Sequence, residues 1–171
     1  RFGSALNTGL KTWLRDKGID IRDNFIVDAR CGSVSIPQQI GMFTVHEQVS
    51  FHYVPVIGSF ADHPVTAGLE TVMFEFASEL RFTGDSTKKF QPLAYSSELS
   101  DALPAPQFFD FNKEWTERDF SKQHIPVAAA IEGNPMKMVV IADGDFPVNG
   151  PPQQSPRSLP PDNVNLLSNA I

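Results

Sequence analysis

The chain has 171 residues, of which 41% are hydrophobic, 20% charged and 11% aromatic, with 14 Lys plus Arg against 20 Asp plus Glu. That is enough chain for one domain with a sizeable core and too apolar for disorder; a net charge of −6, with no basic run longer than Lys88-Lys89, argues against a nucleic-acid or anionic-membrane surface. The single cysteine, Cys31, excludes an internal disulfide and any multi-thiolate metal site, and no stretch approaches the ~18 consecutive apolar residues of a membrane span.

Leu6, Leu10, Trp13 and Leu14 fall on one face of a helix that Gly18 would stop. Ile19 and Ile21 alternate into a short extended piece, and Asn24 to Asp28 reads as a strand ending in an acid. Residues 42–47 and 49–57 are rich in Phe, Val and Tyr at period two, the pattern of half-buried strands. Residues 58–68 form a turn-rich connector, 70–82 alternate Val72, Phe74 and Phe76 as a further strand, and 93–96 form a short one. A Pro- and aromatic-rich excursion fills 101–119. Two clearer strands follow, 125–132 and 136–142, separated by Gly133-Asn134-Pro135. The second is a nearly continuous apolar run, as expected of a strand covered on both faces. It leads into Asp143-Gly144-Asp145, a long Pro-rich crossover loop through 151–161, and a closing helix marked by Val164, Leu167 and Ile171.

Helix, strand, a mixed β middle, then buried strand, polar loop and helix predict an α/β domain: an open, mainly parallel sheet carrying an antiparallel β excursion. The helical spacings at both ends, with Arg1 in place of an initiator Met, read as a single domain over residues 1–171 cut from a longer protein whose flanks would carry any membrane anchor.

Ligands of open α/β sheets bind beyond the carboxyl ends of the strands. Asp143, Asp145 and Asn149 sit at such an end, so they are read either as a polar binding loop or as side chains that bond loop amides and hold the turn. An EF-hand needs further oxygen ligands at fixed offsets, which are missing. Cys31 is the one candidate nucleophile, and Arg30 beside it would favour thiolate, but a glycine-flanked strand-to-helix elbow is absent. His46, His52, His63 and His124 show no zinc spacing. In the 62–68 segment Pro64 presets a turn and Gly68 permits positive φ. Phe108, Phe109, Phe111 and Trp115 form either a partner-binding patch or a satellite core. Gly-rich phosphate loops and the GxSxG elbow are absent, and no cofactor or metal is expected.

Five segments taken together, ALNTGLKTWLRDKGIDIRDNFIVDARCGSV, SFADHPVTAGLETVMFEFASEL, HIPVAAAIEG, MVVIADGDFPVNG and DNVNLLSNAI, resemble in order the GldG-type gliding-motility-associated ABC transporter auxiliary proteins. The resemblance implies an extracytoplasmic, periplasmic-face domain of a membrane-anchored component, with ABC transporter permease and ATPase subunits as partners of the full-length protein and membrane contact only through flanking segments. It also implies a fold similar to the class I glutamine-amidotransferase-like, flavodoxin-like α/β domain, shared with an intraflagellar transport subunit. By position, Asp143, Asp145 and Asn149 match the family's strand-end signature, and Asn163 and Asn169 its closing-helix signature. The amidotransferase cysteine and its His have no match, which favours a non-catalytic domain that binds partner proteins or exported substrate. The alternatives are a hydrolase or amidotransferase relative using Cys31 and, third, carbohydrate binding through the aromatic excursion and the Asp/Asn loop.

Overall fold

The computed structural model describes residues 2–148 and 159–171. In chain order the elements are β1 (Phe2–Gly3), α1 (Leu10–Lys17), β2 (Ile19–Ile21), β3 (Asn24–Asp28), β4 (Cys31–Ile40), β5 (Phe43–Ile57), β6 (Ser59–Phe60) and β7 (Val72–Met73). They continue with β8 (Leu80–Phe82), β9 (Lys89–Tyr95), β10 (Ser100–Pro104), β11 (Gln107–Phe108), β12 (Pro126–Glu132), β13 (Lys137–Ile141) and α2 (Pro161–Asn169). Asn149 and residues 151–158 of the expected crossover loop lie outside the described residues.

The expected open parallel α/β sheet, and with it the amidotransferase-like or flavodoxin-like architecture, is wrong. The described residues are 43% strand and 14% helix, arranged in small antiparallel sheets. These are β13-β12-β9-β6, β4-β5-β7, and the pairs β3/β10, β2/β8 and β1/β11. The reason is in the connections. A parallel pair needs a crossover of a dozen or more residues, usually a helix. Here β4 turns into β5 at Gly41-Met42 and β12 into β13 through residues 133–136, and such short turns return the chain antiparallel. Gly41 makes the first turn with φ +63, a conformation that costs other residues more.

The central strand is β12. Val127, Ala128, Ala129 and Ile131 are each fully buried, because β13 and β9 flank the strand and both faces are covered. One face joins Ile26, Phe74, Leu93 and Leu166 of α2; the other joins Leu14 of α1, Ile19, Leu80 and Val140. Phe74 lies edge-on to Phe146 with centroids 5.5 Å apart, and each such fully buried side chain contributes about 1.5–3 kcal/mol. A third cluster holds Phe51, Tyr53 and Phe109, with Phe111, Trp115 and Phe120 against it. The aromatic excursion is therefore largely a satellite core, although Phe108 stays 67% exposed.

Helix α1 ends at Gly18 as expected, in the left-handed region at φ +97. Of its predicted apolar face only Leu14 is buried, while Leu10 and Trp13 are half exposed and Leu6 precedes the helix. The expected strand over 70–82 is interrupted after Met73 and resumes at Leu80. Phe76 breaks it with φ +56, a value rare for a bulky residue.

Candidate functional site

The predicted polar residues converge on the interrupted segment. Asp143, 6% exposed, accepts a hydrogen bond from the Glu75 amide at 2.6 Å and one from the Asp145 amide at 3.1 Å. Its carboxylate thus takes the place a strand neighbour would fill where Phe76 turns away. Burial and the Asp145 carboxylate push Asp143 up to about 7, against the pull of those two amides. Asp145 itself is exposed on the turn.

Helix α2 meets the same segment with two side chains, and the turn before it with a third. Asn163, fully buried, accepts from Met73 N at 2.9 Å and donates to Met73 O at 2.7 Å and Phe146 O at 2.6 Å. Asp162 accepts from Glu70 N and Thr71 N at 2.7 and 3.0 Å, which holds its carboxyl below the usual range. Asn169 donates to Val65 O and Ala67 O. A carboxamide carries one donor group and one acceptor in peptide-like geometry, so Asn163 pairs with Met73 as an adjoining strand would. Asp143 and Asn163 are therefore brought to one place, and their polar atoms are engaged with the backbone of Met73, Glu75, Asp145 and Phe146.

A second buried polar cluster escaped sequence reasoning. Asp28, fully buried at the end of β3, accepts from Arg30 N, Ser97 N and Ser97 Oγ at 2.8, 2.7 and 2.6 Å. Beside it the buried Ser96 and Ser100 hydroxyls lie 2.7 Å apart, and Ser96 Oγ accepts from Ile125 N at 2.8 Å. The signal was present as an acid at a strand end and three serines within five residues, but nothing local tied them together. A charged depression of about 310 Å³ lies between Arg15, Arg22, Glu79, Arg81 and Lys122. Its cations already face carboxylates: Arg15 and Arg22 pair with Asp20, Arg81 with Glu79 and Lys122 with Asp101.

Cys31 begins β4 and is half-buried. Burial and the charge of Asp28 push its thiol up, the reverse of what a nucleophile needs. The expected help from Arg30 does not reach it; that guanidinium lies against Gly58 instead. His46 and His52 lie six residues apart on β5 and do not converge. His46 faces Ser35, whereas His52 bonds Asp28 O at 2.8 Å and packs on Trp115 and Phe120. His63 caps the short turn at Pro64–Thr66 by accepting from Val65 N, and Gly68 follows at φ +74. Among the described residues no group of three His, Cys, Asp or Glu side chains is arranged to hold a metal ion.

The raised Asp143 gives a testable pH dependence. Its folded pKa lies above the unfolded value of about 3.9, so the native state binds the extra proton between about pH 4 and 7, and this residue adds stability as pH falls through that window. Asp101 has the opposite sign. Burial opposes its ionisation, but Lys122, Ser121 and the Ala102 amide hold it at about 2, so its contribution is lost below about pH 4. In Asp143→Asn the gain between pH 7 and 4 should shrink by on the order of 2 kcal/mol relative to wild type, read from urea midpoints across that range. An unchanged slope would contradict the assignment.

These observations define a mostly β domain of small antiparallel sheets in which acids and amides at strand ends hold irregular backbone. Residues 2–170 match the model of the family described as an ABC-type uncharacterized transport system, and the chain belongs to that family. It is accordingly an auxiliary component of an ABC-type transport system. No curated protein and no solved structure matches it. No helix among the described residues is long and apolar enough to cross a membrane.

Proposed function

We propose that this domain is a non-catalytic, partner-binding part of its transport system, of the gliding-motility-associated type, held at the extracytoplasmic face of the inner membrane by flanking segments. The permease and ATPase subunits are its partners. The family match over residues 2–170 carries this reading. The engagement of Asp28, Asp143 and Asn163 with backbone, and a thiol at Cys31 pushed up rather than down, support a domain built for binding rather than turnover. The aromatic excursion, whose rings Phe109, Phe111 and Trp115 pack in the satellite core, offers little to a sugar.

Fractionation tests the topology. The full-length protein should sediment with the inner membrane and lose this domain to protease added to spheroplasts. Recovery as a soluble cytoplasmic protein would sink the reading. Cys31 should react with iodoacetamide at pH 7 more slowly than a free model thiol; faster alkylation would bring the cysteine-enzyme alternative forward.

A further inference from the structure

The hairpin of β4 and β5 extends beyond the sheets. Its nearest sheet neighbour, β7, pairs only with Val56 and Ile57 at the base, and Val34 still packs on the third cluster, so from Ser35 to Gln48 the ribbon projects roughly 20 Å as two strands alone. Directly paired residues of an antiparallel ribbon share a face. The register therefore puts Val34–Val49, Ile36–Glu47, Gln38–Val45 and Ile40–Phe43 on one side. Ser33–Ser50, Ser35–Gln48, Pro37–His46 and Gln39–Thr44 fall on the other. The polar side is laced by Ser33–Gln48, Ser35–His46 and Thr44–Gln39 hydrogen bonds. The apolar side is bare toward its tip: Ile40 is 60% exposed, Phe43 75%, Val45 48%, and Met42 in the turn 93%. A lone two-stranded ribbon is at best marginally stable in water, and large apolar side chains left exposed together at its tip point to an interaction site.

Charge decides what covers it. In the middle of the apolar side stands Glu47, bonded to Gln38 Nε2. It is the only acid between Asp28 and Asp62, and no Lys or Arg occurs between Arg30 and Arg81. A carboxylate closed into an interface needs a cation opposite. A second copy of the arm would bring another Glu47 and no base, and an anionic lipid surface would repel the acid with no Lys or Arg to offset it. We propose that the arm docks a different protein, a subunit of the transport system, through an apolar groove that presents one Lys or Arg to Glu47. The proposal rests on the partner-binding reading above.

The test uses the full-length protein in its own membrane, with photoreactive benzoylphenylalanine at Phe43 on the apolar side or at Gln39 on the polar side. Position 43 should cross-link one transport-system subunit, and position 39 should not. Glu47→Gln keeps the shape and removes the charge, and should lower the yield at position 43 at least about tenfold. Glu47→Lys should abolish the adduct, and exchange of a Lys or Arg for Glu in the cross-linked stretch of the partner should restore it. An adduct to a second copy, to lipid alone or to an unrelated protein would overturn the proposal. So would equal labelling at both positions, or a yield indifferent to Glu47→Gln. If the subunits co-purify with the wild type while position 43 labels nothing, only the arm assignment fails. If they never co-purify, the transport-partner reading fails and takes the arm with it.

Discussion

Asn163→Ala should lower folding stability by about 3–4 kcal/mol, because it leaves Met73 N, Met73 O and Phe146 O without their partner inside the protein. The loss is large because the site is dry: Asn163 and the neighbouring Leu166 and Phe74 are all fully buried, so water cannot replace the missing bonds. Asn163→Asp should be no better. It keeps one acceptor for Met73 N but sets a carboxylate against two carbonyl oxygens, which tolerate it only when protonated. Urea unfolding at pH 7 measures both variants. A loss under 1 kcal/mol for Asn163→Ala would mean that α2 is not fastened to residues 65–73 in this way.

The second large effect falls at Asp28. Asp28→Ala removes a charged acceptor from Arg30 N, Ser97 N and Ser97 Oγ, and should cost about 3 kcal/mol, since bonds to ionised groups are the stronger kind. Amide exchange at Ser97 should speed up more than exchange in the distant β2/β8 pair, because the lost bond is local. Uniform acceleration across the sheets would point to global loosening and against a specific tie between β3 and the turn before β10. Together Asp28 and Asn163 explain how a chain of short strands keeps definite geometry: side chains supply bonds where the ladders stop.

The strand positions were largely legible, since the period-two run at 49–57, the stretch at 125–132 bounded by Gly133-Asn134-Pro135 and the apolar run at 136–142 mark β5, β12 and β13. Their direction was not. A strand buried on both faces, as Ala128, Ala129 and Ile131 are, gives the same apolar run in a parallel or an antiparallel sheet, and the turns that decide between them are read only once partners are known. Strand β4 carried a visible alternation, Val34, Ile36 and Ile40 against Ser33, Ser35 and Gln39, masked by low apolar content and by Pro37. The break at Phe76 was invisible, because the groups that compensate it, Asp143 and Asn163, lie 68 and 90 residues away from their bonded partners. For the same reason the strand-end acids were recognised as a polar locus while the backbone they hold was not.

The most direct measurement is the composition of the complex formed by the full-length protein, purified from its own membranes in mild detergent and quantified by mass spectrometry. An ABC permease and its ATPase should be present in stoichiometric yield, retained by Asp143→Asn and lost with Glu47→Lys. A protein recovered alone, with no transport subunit above background, would contradict it.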